Sequence, residues 1–109
     1  MRVLVSIVPL SYRQALALSL RRHRPLLEVM IVAPEDLDRE VERFEPHLVV
    51  CNEATLLVRT SVPSWVVILF ENGLDALISV DGQTSEVHDV STDDVIGAID
   101  ETERIVPQS

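Results

Sequence analysis

PHLVVCNE, residues 46–53, holds a proline, an unbroken apolar run, then an amide and an acid. Proline marks a break with whatever precedes it. Leu48 to Asn52 is short, apolar and rich in valine, which reads as a buried strand ending at Asn52. The residue at that end matters, because the carboxyl ends of parallel strands form the ligand crevice of an open α/β sheet. Whether this strand runs parallel to its neighbours depends on the segments to either side.

Upstream, RVLVSIV (residues 2–8) is β-branched and almost continuously apolar, the pattern of a strand covered on both faces. Ser11 offers an N-cap oxygen, and Tyr12, Leu16 and Leu20 recur at helical spacing as far as about His23. Arg21, Arg22 and Arg24 complement the negative end of that helix, and Pro25 stops it. EVMIVA (residues 28–33) is the second strand. Pro34, Glu35 and Asp36 open a second helix, with proline in the first turn and acids beside the positive dipole end. Leu37, Val41 and Phe44 form its apolar stripe, and Glu35 and Arg39 are spaced for an ion pair. Two helical crossovers between apolar strands predict a parallel βαβαβ sheet with right-handed connections.

Downstream, residues 54–64 leave room for a short helix, but Val62-Pro63 and the serines favour a connecting loop. WVVILF (residues 65–70) is a fourth strand, and Glu71, Asn72 and Gly73 form a turn. ALISV, Asp81-Gly82 and the alternating QTSEVHDV predict a β-hairpin, since Asp-Gly suits the type I′ turn that matches strand twist. Ser91 caps a last helix with Asp94 three positions on. Val95, Ile99, Thr102 and Val106 line one face of it, with Ile96 and Ile105 beside them. The expected fold is one α/β domain over residues 1–109, with a mainly parallel sheet, a C-terminal antiparallel hairpin and a final helix. The tail from Pro107 is expected to fray.

Composition narrows the function. The chain has 109 residues, 47% hydrophobic and 25% charged, enough to bury a core without disulfides or metal and too apolar for disorder. A net charge of −9 argues against non-specific nucleic-acid or anionic-membrane binding. The charge is uneven: residues 1–33 carry five arginines and one acid, and residues 34–109 carry four arginines and seventeen acids. All nine basic residues are arginine, so P-loop and Schiff-base lysine chemistry have no carrier. Three scattered glycines make no nucleotide cradle, and no serine sits in a G-x-S-x-G elbow. The lone Cys51 reads as a core thiol. His23, His47, His88 and Cys51 lack metal-ligand spacing, His47 and Cys51 being roughly 13 Å apart along a strand. The N-terminal apolar run is too short for a membrane span and lacks a small-residue cleavage site, so a cytoplasmic protein is expected.

Over residues 1–52, and weakly over the last helix, the order of elements resembles a response-regulator receiver domain. RVLVSIVPLSYRQAL is similar to the receiver's first strand and helix, where two acids hold magnesium; Ile7 and Val8 stand in those places. PHLVVCN is similar to the strand ending in the phospho-accepting aspartate, which puts Asn52 there. The switch hydroxyl falls near Leu69 or Phe70, and the receiver's lysine has no counterpart. The resemblance implies receiver or flavodoxin-like strand order on a scaffold whose phosphorylation chemistry is gone.

An amide is neither an adequate nucleophile nor an anionic metal ligand. The leading expectation is therefore a non-catalytic, phosphorylation-incompetent receiver-like module. It takes no cofactor and acts through a protein partner or a second copy, not through nucleic acid or membrane. Trp65, Tyr12 and the hairpin edge are its candidate contact features. The alternative is small-ligand or cation binding at a strand-end crevice formed by Glu35, Asn52, Glu53 and Glu71. Solvated loop acids are the simpler account of that group.

Overall fold

The computed structural model describes residues 1–69 and 75–106. The elements in chain order begin with β1 (Arg2–Ser6), α1 (Leu10–His23), β2 (Glu28–Ile31), a 3-10 turn (Pro34–Asp36), α2 (Leu37–Phe44) and β3 (Leu48–Cys51). They continue with α3 (Leu56–Ser61), β4 (Ser64–Leu69), β5 (Asp75–Val80), β6 (Gln83–Val87) and α4 (Thr92–Ile105). Phe70, the turn expected at Glu71, Asn72 and Gly73, and the tail from Pro107 lie outside the described residues.

The strands form one sheet in the order β2-β1-β3-β4-β5-β6. The first four are mutually parallel, β5 runs antiparallel to β4, and β6 antiparallel to β5. This corrects the expectation of a mainly parallel sheet in receiver or flavodoxin-like order: the sheet is mixed, and its fifth strand enters in the opposite direction. The reason is chain length. A parallel return needs a crossover of a dozen or more residues, and only residues 70–74 separate Leu69 from Asp75. The hairpin belongs to the main sheet, with Ser64 opposite Val80 and Val66 opposite Ile78.

Strand alternation sends side chains to two separate cores. Val3, Val5, Val50, Val66 and Ile78 pack with Leu20 and Ile99 beneath α1 and α4. Leu4, Val49, Cys51 and Val67 pack with Leu37, Val41 and Val58 beneath α2 and α3. Residues 54–64, favoured as a loop, contain α3. The Thr55 hydroxyl starts it, accepting the Val58 N–H at 3.2 Å and donating to Asp38 Oδ1 at 2.7 Å. At α2, Arg39 pairs with Asp36 at 3.0 Å instead of with Glu35.

Helix α1 starts earlier than Ser11, with Pro9 in the N-cap position, and it turns a different face to the sheet. Arg13, Ala17 and Leu20 are buried, whereas Tyr12 is 51% exposed. Two adjacent stripes satisfy the same helical spacing, and packing chose the one with a small residue at its centre. Ala17 allows close approach to the strands, and Arg13 is tolerated there because its Nε donates to the Ile7 carbonyl at 2.8 Å.

Helix α4 begins where Ser91 N–H and its hydroxyl both donate to Asp94 Oδ2, at 2.8 and 3.1 Å. It is held to the sheet by a buried pair, the Thr102 and Ser64 hydroxyl oxygens lying 2.7 Å apart. Arg24 at the end of α1 grips Asp100 through two nitrogens, at 3.3 and 3.0 Å. Gly97, in mid-helix and exposed, has no atom within 4 Å of where a Cβ would sit. Gly97→Ala is therefore expected to raise stability by about 0.5–1 kcal/mol, since alanine loses less backbone entropy in a helix. Urea denaturation of the two proteins checks this; an unchanged or lower midpoint would show that alanine gives no stabilisation at this position.

Candidate functional site

The four parallel strands end at one edge, where the starts of α1, α2, α3 and α4 also lie. Asn52 occupies the centre of that edge, just past β3. Its Oδ1 accepts the Val8 N–H at 2.7 Å, and its Nδ2 donates to the Ile68 carbonyl at 3.0 Å. The orientation is forced, because a flipped amide would set donor against donor and acceptor against acceptor. Asn52 thus ties the end of β1 to the end of β4 across β3, and both halves of its side chain are engaged in doing so.

The other residues singled out at this edge lie on different elements. Ile7 is buried in the core under α1 and α4, and it is its backbone carbonyl, holding Arg13, that has a polar role. Val8 is 44% exposed and supplies only its N–H to Asn52. Glu35 sits exposed on the 3-10 turn and Glu53 exposed after β3. Glu71 lies outside the described residues. Among the described residues no three His, Cys, Asp or Glu side chains are grouped so as to hold a metal ion. Arg13 was missed by sequence reasoning, since an arginine between exposed helix positions carries no signal of burial.

Cys51, paired with Ser6 in the β1–β3 register, is buried, and loss of hydration pushes its thiol up to about 12. A thiol held protonated is a poor nucleophile. The Ser6 hydroxyl beside it is 1% exposed and has no hydrogen-bond partner among the described residues.

At the opposite edge His47 Nδ1 accepts the Arg2 N–H at 2.9 Å, which requires an unprotonated Nδ1. Burial chiefly, then the charges of Arg2 and the N-terminus, hold the imidazole below its ordinary pKa. The folded state therefore binds this proton less readily than the unfolded chain. The associated stability is complete above about pH 6.5 and is lost as pH falls through the folded-state value. Thermal melts of wild type between about pH 7 and about pH 5 should fall more steeply than those of His47→Asn, whose Oδ1 accepts the same N–H without titrating. Parallel curves would contradict this role.

The two lateral edges of the sheet differ. At β2, Glu28 and Val32 donate to β1, so Val29 and Ile31 turn their backbone groups outward. Arg21 Nη2 reaches over this edge and donates to the outward Val29 carbonyl at 2.8 Å. At β6 the hairpin closes with Asp81 and Gly82, at φ +51° and +81°, a two-residue turn in which Val80 and Gln83 exchange both bonds. The pairing alternates from there, so Ser85 and Val87 bond to β5 while Thr84 and Glu86 point their N–H and C=O groups away from it. Among the described residues no side chain bonds to those outward groups. Of the other contact candidates, Trp65 is half-buried with the Arg59 guanidinium 5.9 Å from its ring centre.

No described helix is long and apolar enough to cross a membrane. Compared with protein-family models, curated proteins and solved structures, the chain matches none.

Proposed function

We propose that the chain is a non-catalytic interaction module of the cytoplasm, incompetent for phosphoryl transfer, that offers the free edge of β6 to a protein partner. The observation that carries this reading is the difference between the two sheet edges: Arg21 reaches over β2 and occupies its outward Val29 carbonyl, whereas among the described residues no side chain bonds to the outward groups of Thr84 and Glu86 on β6. An open edge is a template for an added strand unless something blunts it. β6 has no proline and no bulge in its register, and all but its last residue are exposed. The strand-end edge supports the same conclusion from the other side. Asn52 is committed to bridging Val8 and Ile68, and Ile7 and Val8 offer no carboxylate where a magnesium-dependent phosphoacceptor needs one.

Glu86→Pro tests the reading. It removes an outward N–H but no β5–β6 ladder bond, and proline is tolerated at such edge positions. Wild type and variant are immobilised in parallel and challenged with lysate of the native cell. Proteins retained by wild type and lost by Glu86→Pro are the expected result. Identical retention by both would remove β6 from the function.

A further inference from the structure

Resting on that reading, we infer that the partner of β6 is a basic extended segment, which adds a strand to the sheet and lays alternate side chains into the groove between the hairpin and α4. The groove encloses about 760 Å³. Its lining includes Ile78 of β5, Gln83 and Ser85 of β6, and Gly97, Ala98 and Glu101 of α4.

Charge selects the occupant. Residues 75–106 contain nine acids against a single arginine, Arg104. Asp81 lies at the hairpin turn and Asp93, Asp94 and Glu101 along α4, all bordering the groove, so that among the described residues four carboxylates face its one cation, Arg104. Glu86 projects from the opposite face of β6, beside Leu77 in the register. On the groove face an added strand meets four carboxylates against Arg104, whereas the other face carries Glu86 with Arg59 lining the recess beside Thr84, so arginine or lysine is favoured chiefly in the groove. A second copy of this chain is disfavoured as the occupant. Pairing two β6 edges would bring two such acidic surfaces together, and at the other edge, β2, Arg21 already takes the outward Val29 carbonyl. Gly97 agrees with an incoming chain: nothing within this molecule fills the space over it, and its missing side chain leaves the groove wall low.

The probe is a short, end-blocked peptide of repeated Arg-Thr units, with a Glu-Thr peptide of equal length as its control, followed by amide NMR of the full chain. Saturable shifts centred on the Thr84 and Glu86 amides are expected with the basic peptide. Its affinity should exceed that of the control by at least about tenfold and weaken from about 50 to about 500 mM salt. Glu86→Pro should weaken it by about tenfold or more. Gly97→Leu, which fills the groove with a better helix former, should weaken it comparably while leaving the fold intact.

Equal binding of the two peptides at Thr84 and Glu86 would overturn the basic partner while leaving the edge reading standing. Shifts scattered over α4 and unaffected by Glu86→Pro would overturn both. Self-association that competes with the basic peptide and is lost in Glu86→Pro would overturn the basic segment in favour of a second copy. Absence of shifts with the basic peptide at low salt would overturn the inference outright.

Discussion

Asn52→Asp is expected to destabilise the protein by about 1–3 kcal/mol at neutral pH, although it exchanges only the amide nitrogen for an oxygen. Aspartate retains an acceptor for the Val8 N–H, but it loses the donor to the Ile68 carbonyl and sets a carboxylate oxygen against it. The fold then favours the protonated acid, whose hydroxyl can donate as the amide did, so the pKa at position 52 rises above its unfolded value. The deficit should be full above that raised pKa and shrink as pH falls through it toward about 4, the unfolded value. Urea denaturation at neutral and acidic pH, with wild type alongside, separates this from a general acid effect. Equal stability of the two proteins at neutral pH would mean that the bridge contributes nothing. Asn52→Asp should also gain no acyl phosphate from a small-molecule phosphodonor and magnesium, because Ile7 and Val8 supply no metal ligand. A labelled aspartate at position 52 would reverse that conclusion.

Ile99→Ala should cost more, about 2–5 kcal/mol, because it empties a fully buried position between α4 and the sheet. Against the roughly 5–15 kcal/mol that holds a typical domain together, this is a large fraction. The loss should be local before it is global. Of the buried side chains that seat α4, Ile99 is among those with no exposed surface, and α4 forms one wall of the groove beside β6. Hydrogen exchange should therefore accelerate first in α4, and the denaturant midpoint should fall without a change of slope. A midpoint within the error of wild type would show that the neighbouring Val95, Ile96 and Ala98 collapse into the space.

The candidate site was only partly legible. The residue types at three positions can be read directly: Ile7, Val8 and Asn52 carry no carboxylate. What Asn52 does instead is not legible. Its partners are the Val8 N–H and the Ile68 carbonyl, groups every residue possesses, so no side-chain pattern announces them. The grouping of Glu35 with Glu53 rested on both lying at strand ends, and both side chains are exposed there. The burial of Arg13 has the same character, since its tolerance depends on one backbone carbonyl that the fold delivers. The hairpin edge was recognisable because Asp81-Gly82 announces its turn locally, but Arg21 covering the opposite edge required two elements to be docked.

Sequence alone determined where α4 begins, the turn at Asp81-Gly82 and the apolar strands, because each is a property of a few consecutive residues. The tertiary structure decided the direction of the fifth strand, the face that α1 buries, the helix within residues 54–64 and the edge left open. Each of these is a choice among arrangements that satisfy the same local pattern. The mainly parallel reading followed from two helical crossovers, whereas the pairing of the hairpin with β4 makes the whole a single mixed sheet. Packing then settled what periodicity left degenerate, placing Ala17 against the strands and Tyr12 in solvent.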